Sequence, residues 1–240
     1  MNSTLTKVTL PEGASLQKVG QILLDAWEVG SHQWQHSPLQ LKDGPARPVP
    51  PPLPHDAMDF FRLLQQSHTH YLLVGGIAML TYVEGRNTRD LDLLTSLSSI
   101  ETLPEFEVLH REGFFVCGRF KTLQVNLLLN TNALFKIVQE RFASTHRFAE
   151  LEVPAANVEG LLLLKLYAIP SLCRQFDWDR VYIYESDVKQ LLARYEPDTN
   201  RLLTILAAHV PASDLRELRK LIEDQASRRK RIGGPDDSSS

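Results

Sequence analysis

The sequence predicts an α/β (α+β) fold in which a small mixed sheet carries flanking helices and a helical C-terminal lobe follows. Three observations lead to this prediction. Short apolar runs bounded by Gly, Asn or Ser occur between residues 56 and 130 and indicate strands. Amphipathic runs with helical spacing lie between them and dominate the later part of the chain. Interleaved strands and helices are typical of a sheet covered by helices.

Composition and charge exclude several classes of protein. The chain has 240 residues, of which 43% are hydrophobic, so a sizeable core forms and wholesale disorder is excluded. With 26 Lys and Arg against 29 Asp and Glu, the net charge of -3 creates no general attraction to nucleic acid. Two distant cysteines, Cys117 and Cys173, support neither a disulfide framework nor a zinc ribbon. No apolar run reaches the ~18 residues of a membrane span, so we expect a cytoplasmic protein with no membrane partner.

The domain organisation follows from shifts in composition along the chain. A proline-dense stretch separates a first amphipathic helix, over residues 14–29, from the denser pattern that follows. The last residues are Gly, Pro, Asp and Ser and have almost nothing to bury. The expected parts are an N-terminal helical extension (1–43), a Pro-rich linker (44–55), a core (56–130), a helical lobe (131–228) and a disordered tail (229–240).

The core and the lobe differ in their periodicity. In the core, apolar runs of strand length alternate with helical patterns, whereas the lobe contains helical patterns almost throughout. The elements predicted for the core are a helix capped by Asp56, a strand over 70–74, a helix over 77–83, a strand over 90–94, a helix over 104–111, and strands over 113–117 and 123–129. The helices predicted for the lobe cover 131–142, 158–168, 185–195, 200–209 and 213–228.

The most informative motif is a diglycine followed by two aspartates. Gly75 and Gly76 lie at a strand-to-helix turn, where the missing Cβ atoms let the backbone approach an anion closely. Asp90 and Asp92 are two residues apart on a predicted strand, so their side chains share a face with backbones about 6.5–7 Å apart. Paired carboxylates repel each other unless a cation intervenes, and their hard oxygen atoms suit Mg²⁺.

Each half of this motif also has an ordinary structural interpretation. A diglycine often marks nothing more than a tight turn, and Asp-x-Asp often marks a solvated strand end or a helix cap. Because the two occur in order on a strand, a helix and a second strand, they favour a joint site for a phosphate and a metal.

Gly75-Gly76, thirteen further residues and then Asp90-Leu-Asp92 resemble the signature of the nucleotidyltransferase superfamily, which has the polymerase-β-like fold. The longer string, from Gly-Gly-Ile-Ala to Arg86-x-Thr88-x-Asp-Leu-Asp-Leu, is similar to the first motif of AbiEii-type nucleotidyltransferases. The resemblance extends over residues 56–195. It implies that the aspartates bind two Mg²⁺ ions that activate an acceptor hydroxyl and stabilise leaving pyrophosphate. It implies nucleotide-binding roles for four residues, which are Gly75, Gly76, Thr88 and Arg89.

One position departs from the family pattern. Family members usually supply a third carboxylate from a later strand, and the matching residue here is Asn126. A neutral amide oxygen ligates Mg²⁺ but contributes no charge and accepts no proton. The sequence therefore leaves two readings open, an active enzyme with a weakened metal site and a catalytically silent nucleotide-binding or scaffold protein of the same fold.

Two later segments extend the resemblance. Lys165 follows four leucines, and a lysine beside an apolar face requires an anion such as a triphosphate or a carboxylate. Asp187, before Val-Lys-Gln-Leu-Leu, resembles the closing motif of the AbiEii type and is expected to orient Lys165 or the acceptor. The alternative is that Lys165 and Asp187 form a purely structural ion pair.

These observations predict transfer of a nucleoside monophosphate from an NTP to a hydroxyl of RNA, protein or a small molecule. By resemblance, the protein is the toxin of a toxin-antitoxin or phage-defence system, with an antitoxin protein as partner and tRNA as a candidate acceptor. A transferase that modifies a sugar or an antibiotic is a further alternative. Zinc at His32 and His36 lacks a third ligand. The basic run over 228–231 is either a solvated helix end or an RNA-binding tail.

Overall fold

A computed structural model describes residues 8–31 and 50–232. The chain divides into two compact units, the first ending at Asn157 and the second beginning at Val158. The histidines His32 and His36, residues 44–49 of the Pro-rich linker and residues 233–240 of the predicted tail lie outside the described residues.

The first unit is built on a mixed sheet whose described strands have the order β3-β4-β5-β2-β1-β7-β6. The chain order alternates strands with helices, as the sequence predicts, and the predicted fold class is confirmed. The strands are β1 (Tyr71–Val74), β2 (Leu91–Thr95), β3 (Phe106–Glu112), β4 (Phe115–Phe120), β5 (Leu123–Leu129), β6 (Ala143–Arg147) and β7 (Glu152–Ala156). The helices are α1 (Leu16–Ser31), α2 (Pro54–Gln66), α3 (Gly75–Met79), α4 (Leu97–Glu101) and α5 (Ala133–Arg141).

The central strands give the sheet two different faces. Strand β2 runs antiparallel to β1 and parallel to β5, which in turn runs antiparallel to β4. Along β5 the side chains alternate, with Val125 and Leu127 fully buried while Gln124 and Asn126 are half-buried. Because successive side chains of a strand point to opposite faces, one face of the sheet packs into the core and the other presents polar groups.

Helix α2 covers part of the buried face with aromatic side chains. It begins with Pro54 at its first turn, a position where a missing N–H costs no hydrogen bond. The ring of Phe60 lies 5.0 Å from that of Phe120 and 6.2 Å from that of Phe106, between centroids. The sequence predicts that Asp56 caps this helix, but its side chain makes no capping hydrogen bond. Its carboxylate instead accepts hydrogen bonds from the backbone N–H and the hydroxyl of Thr122.

The prediction of a helix over 104–111 is wrong, since these residues form most of edge strand β3. Its side chains are almost all exposed, so neither face carries a period-two apolar pattern. The sequence analysis leaves strands β6 and β7 unassigned for a similar reason, because their own side chains do not mark them as strands. β6 is a polar edge strand, and Pro154 interrupts β7. The pairing of these segments with their neighbours, not their own periodicity, determines their structure.

A segment ahead of α1 is hydrogen-bonded to the connection between α3 and β2. The N–H of Leu10 donates to the carbonyl of Leu80 at 2.9 Å, and the N–H of Gly85 donates to the carbonyl of Val8 at 2.8 Å. The N–H of Gly13 donates to the carbonyl of Arg147 at 2.8 Å. The first described residues therefore support the chain that leads into β2.

The second unit, which begins at Val158, is helical and agrees with the helical C-terminal region of the predicted fold class. Its longest apolar helix contains the leucine run, and Asp177 caps the next helix by accepting from the N–H of Arg180. The described helices are α6 (Val158–Arg174), α7 (Trp178–Arg194), α8 (Thr199–Leu206) and α9 (Ala212–Ile232).

No helix among the described residues combines the length and the apolar character needed to cross a membrane.

Candidate functional site

The diglycine turn and the two aspartates meet at the end of β1. Strand β1 ends at Val74, which is the antiparallel partner of Asp92 on β2. Gly75 and Gly76 follow at once and begin α3. The aspartate thus lies beside the turn, as the predicted site requires. Asp90 comes directly before β2 and not within it.

The glycines are required because side chains of the site occupy the space beside them. Gly75 has φ +66°, a conformation that favours glycine, and a Cβ there would clash with the carboxylate of Asp92. A Cβ on Gly76 would clash with the hydroxyl of Thr88. The N–H of Gly76 points at Asp92 Oδ2, 3.4 Å away. The diglycine therefore admits the carboxylate to the turn, a role that the sequence analysis does not assign to it.

Both carboxylates converge on Asn126. Its Nδ2 donates to Asp90 Oδ2 at 2.6 Å and to Asp92 Oδ1 at 3.1 Å. This is a consequence of register, because Asp92 and Asn126 are partners on the parallel strands β2 and β5. Thr88, which is buried, lies 3.4 Å from Asp90 through its hydroxyl. We call the group of Asp90, Asp92 and Asn126 the carboxylate site.

The carboxylate site suits a divalent cation. Two oxygens, one from each aspartate, surround the same amide nitrogen, so a cation at that point would contact both. The Oδ1 of Asn126 is buried and has no hydrogen-bond partner among the described residues. Carboxylate and amide oxygens are the ligands that Mg²⁺ prefers. The three residues that the sequence analysis proposes as metal ligands are therefore together and fit the ion.

Strand β4 adds a residue that the sequence analysis does not select. Cys117 is the partner of Asn126 across the antiparallel β4–β5 pair, so its thiol belongs to the polar face. Burial raises the pKa of this thiol, and the negative charge of Asp90 raises it further. Two residues along the strand, Arg119 donates to Glu107 at 2.6 Å. Strand alternation, applied to β4 once the site on β5 is known, identifies both residues.

Two arginines, Arg86 and Arg89, precede the aspartates in the sequence and differ in their exposure. Arg89 is exposed, next to Asp90, whereas Arg86 is half-buried and donates to the carbonyl of Asn87 at 2.6 Å. Arg89, which the sequence analysis predicts to contact the nucleotide, is therefore the more accessible of these two arginines.

Lys165 and Asp187 belong to the second unit and contact each other there. Lys165 Nζ lies 2.7 Å from Asp187 Oδ2, and their side chains are only 5% and 1% exposed. The ammonium also lies 4.3 Å from the centre of the Tyr184 ring, a cation–π contact. This geometry matches the ion pair that the sequence analysis keeps as its alternative. We call these two residues the buried ion pair.

The second unit also carries an exposed aromatic loop between α6 and α7. Phe176 and Trp178 are 76% and 48% exposed, with an edge-to-face contact between their rings. Of the arginines that flank the loop, Arg174 pairs with Asp214 at 2.8 Å. Arg180 lies 3.8 Å from Asp177.

A second group of side chains with metal-binding atoms lies on α2 among the described residues. It consists of His55, Asp56 and Asp59. The carboxylate of Asp56 accepts from Thr122, and that of Asp59 pairs with Lys121 at 3.0 Å. These contacts fasten α2 to the turn between β4 and β5. The other oxygen of Asp56, Oδ1, is buried without a hydrogen-bond partner among the described residues and lies 3.4 Å from His55 Nε2.

No model of a known protein family matches the sequence, and no curated protein matches it. Similar solved structures include that of an antigenic nucleotidyltransferase-like protein from Paracoccidioides brasiliensis, with 16% identity and a TM-score of 0.45, over 69% of this chain and 89% of that one. Another is ANT(2")-Ia in complex with adenylyl-2"-tobramycin, with 14% identity and a TM-score of 0.42, over 71% of this chain and 95% of that one.

Proposed function

We propose that the protein is a Mg²⁺-dependent nucleotidyltransferase that transfers a nucleoside monophosphate from an NTP to a hydroxyl group. The observation that carries the proposal is the convergence of Asp90 and Asp92 on one point beside the diglycine turn. Two carboxylates this close together repel each other, and a bound divalent cation relieves that repulsion. A nucleoside triphosphate supplies phosphate oxygens as further ligands of such a cation.

In the proposed reaction the acceptor hydroxyl forms a bond to the α-phosphorus while the bond to the β-phosphate oxygen breaks. Pyrophosphate leaves, and the hydroxyl proton passes to water or to a carboxylate of the site. Asp90 and Asp92 hold the cation, which when bound supplies charge neutralisation and activates the attacking oxygen. Thr88 orients Asp90. In this proposal the half-buried backbone of Gly75 contacts the triphosphate, and buried Gly76, whose N–H points at Asp92, shapes the turn.

The remaining predicted residues have supporting roles in this proposal. Arg89 is exposed beside Asp90 and is suited to contact a phosphate oxygen. The resemblance to AbiEii-type proteins assigns Lys165 to the nucleotide and Asp187 to its orientation. Since the two already neutralise each other in the second unit, that assignment requires Lys165 to exchange its carboxylate for a phosphate.

A direct assay tests the proposal. The protein is incubated with Mg²⁺, each labelled NTP in turn, and total tRNA, and the label is followed in RNA, protein and small molecules. Asp92→Asn is expected to lower transfer by roughly 100-fold or more, because it removes charge from the metal site. Asp25→Asn is the matched control, since Asp25 is exposed on α1 and hydrogen-bonded only to Gln21 among the described contacts.

The outcomes separate the alternatives that the sequence leaves open. Label in RNA supports an RNA acceptor, and label in a small molecule supports a sugar- or antibiotic-modifying transferase. NTP binding without any transfer contradicts the proposed activity and favours the catalytically impaired scaffold. The toxin role is a further proposal, resting on the AbiEii resemblance, and places the protein in the cytoplasm with an antitoxin as partner. Growth arrest on expression of the wild type, but not of Asp92→Asn, tests it.

A further inference from the structure

We propose that the carboxylate site binds one divalent cation per chain and not two, because the amide of Asn126 takes the place of a third carboxylate. This inference rests on the proposed function only in expecting a metal at this site. It concerns the number of ions that the residues of this chain can hold.

The charge of the carboxylate site favours a single divalent cation. Asp90 and Asp92 together carry two negative charges, which one divalent cation neutralises. A second divalent cation would be bound with no further negative charge, since Asn126 is neutral. Like charges brought close together at a partly buried site repel strongly, so the second ion would need another carboxylate.

The neighbouring strand supplies no such carboxylate to the polar face. Across from β5, β4 presents Cys117 opposite Asn126 and Arg119 opposite Gln124. A thiol is a soft ligand that suits Mg²⁺ poorly, and a guanidinium repels a cation. On the next strand, Glu107 lies opposite Arg119 and is engaged by it at 2.6 Å. Strand β4 therefore offers no further negative charge to a second ion.

The hydrogen bonding of the Asn126 amide also bears on how the site binds a cation. In the structure the Nδ2 of Asn126 donates to both carboxylates, while its Oδ1 is buried with no hydrogen-bond partner among the described residues. A half-turn of the amide exchanges these atoms. It removes two donors from the carboxylates and presents Oδ1 as a ligand in their place. The amide thus holds the carboxylates together without a metal and joins them as a ligand when one cation binds.

The number of bound ions is measured with Mn²⁺ alone, without nucleotide, by electron paramagnetic resonance of the free ion during titration. The wild type is expected to bind one Mn²⁺ per chain, and Asp92→Asn none over the same range. Asn126→Asp is expected to bind two, because it restores a third charge between β2 and β4. Gln124→Asp is the matched control. It adds the same charge on the same face of β5, but opposite Arg119, and is expected to remain at one ion.

Circular dichroism and thermal melting establish that each variant is folded before its ions are counted. Two ions or none on the wild type would overturn the proposal, and so would a single ion on Asn126→Asp. The measurement is independent of catalysis. One Mn²⁺ per chain without nucleotide transfer leaves this inference standing and contradicts the proposed function. Transfer by a protein that binds two ions does the reverse.

Discussion

The carboxylate site and the buried ion pair differ in the signs of the charges that they bring together. The first unit places two like charges, Asp90 and Asp92, around a single neutral amide on a half-exposed face. The second unit places opposite charges, Lys165 and Asp187, 2.7 Å apart in a nearly inaccessible position. The charges of the first group have the same sign, whereas those of the second neutralise each other.

This difference indicates which charged residues are expected to bind a ligand. A pair of opposite charges that is buried and in contact needs nothing further, although removing one partner leaves the other charge stranded. A pair of like charges that is open to solvent is stabilised by any cation that reaches it. Binding is therefore expected at the carboxylate site, and a contribution to stability at the buried ion pair.

The largest expected effect comes from breaking the buried ion pair. Asp187→Ala removes the carboxylate that neutralises the buried ammonium of Lys165, and we expect the free energy of unfolding to fall by about 3–5 kcal/mol. Urea unfolding followed by circular dichroism measures it. The double variant Lys165→Met/Asp187→Leu, which removes both charges, is expected to recover most of the loss.

The double variant also tests the comparison itself. If it folds and still transfers nucleotide, the ion pair is structural and the contrast with the carboxylate site holds. If it folds as stably as the wild type but loses transfer, Lys165 acts on the nucleotide and the contrast breaks down.

An intermediate effect is expected at the diglycine turn. Gly75→Ala combines an unfavourable positive φ with a clash against Asp92, so we expect a loss of about 2–3 kcal/mol in unfolding free energy and weaker Mn²⁺ binding. Gly85→Ala is the control, since Gly85 has φ +77° but nothing within 4 Å of the added Cβ. It should cost only about 1 kcal/mol and leave Mn²⁺ binding unchanged. Equal effects of the two substitutions on binding would show that Asp92 tolerates displacement.

The smallest effect concerns the thiol beside the carboxylate site. Burial and the charge of Asp90 raise the pKa of Cys117, so little thiolate is present until the pH exceeds the ordinary cysteine range. Asp90→Asn removes the second cause and lowers that pKa. At about pH 9 we expect alkylation of Cys117 by iodoacetamide to become a few-fold faster. Cys173, whose pKa is raised by burial and by Glu185, is the internal reference. An unchanged ratio of the two rates would mean that Asp90 does not act on this thiol.

The central parts of the fold were predictable because they follow simple periodicity. Strand β5 alternates buried and half-buried side chains, and this alternation places Asn126 on the face of Asp92. The order of strand, diglycine turn and strand likewise specifies the neighbours of the carboxylates. Local pattern and tertiary structure agree at these positions, and the prediction from sequence was correct there.

The remaining elements depend on contacts that a sequence does not display. Strand β3 has exposed side chains on both faces, so nothing in Phe-Glu-Val-Leu-His-Arg-Glu distinguishes it from a surface helix until β4 pairs with it. The hydrogen bonds from Asn126 to both aspartates depend on the parallel pairing of β2 and β5. In the sequence, 27 residues lie between Thr95 at the end of β2 and Leu123 at the start of β5. The hydrogen bonds from this amide to both carboxylates are for this reason visible only in the structure.

The backbone pairing of residues 8–10 with Leu80 and Gly85 bears on how the protein should be shortened. The proline-dense stretch between α1 and α2 resembles a natural cutting point, and a version starting at α2 would retain every strand of the sheet. It would nevertheless lose two backbone partners of the loop that carries Thr88 and Asp90 to the carboxylates. A trimmed protein that no longer binds metal would therefore report on a loosened loop and not on the ligands themselves.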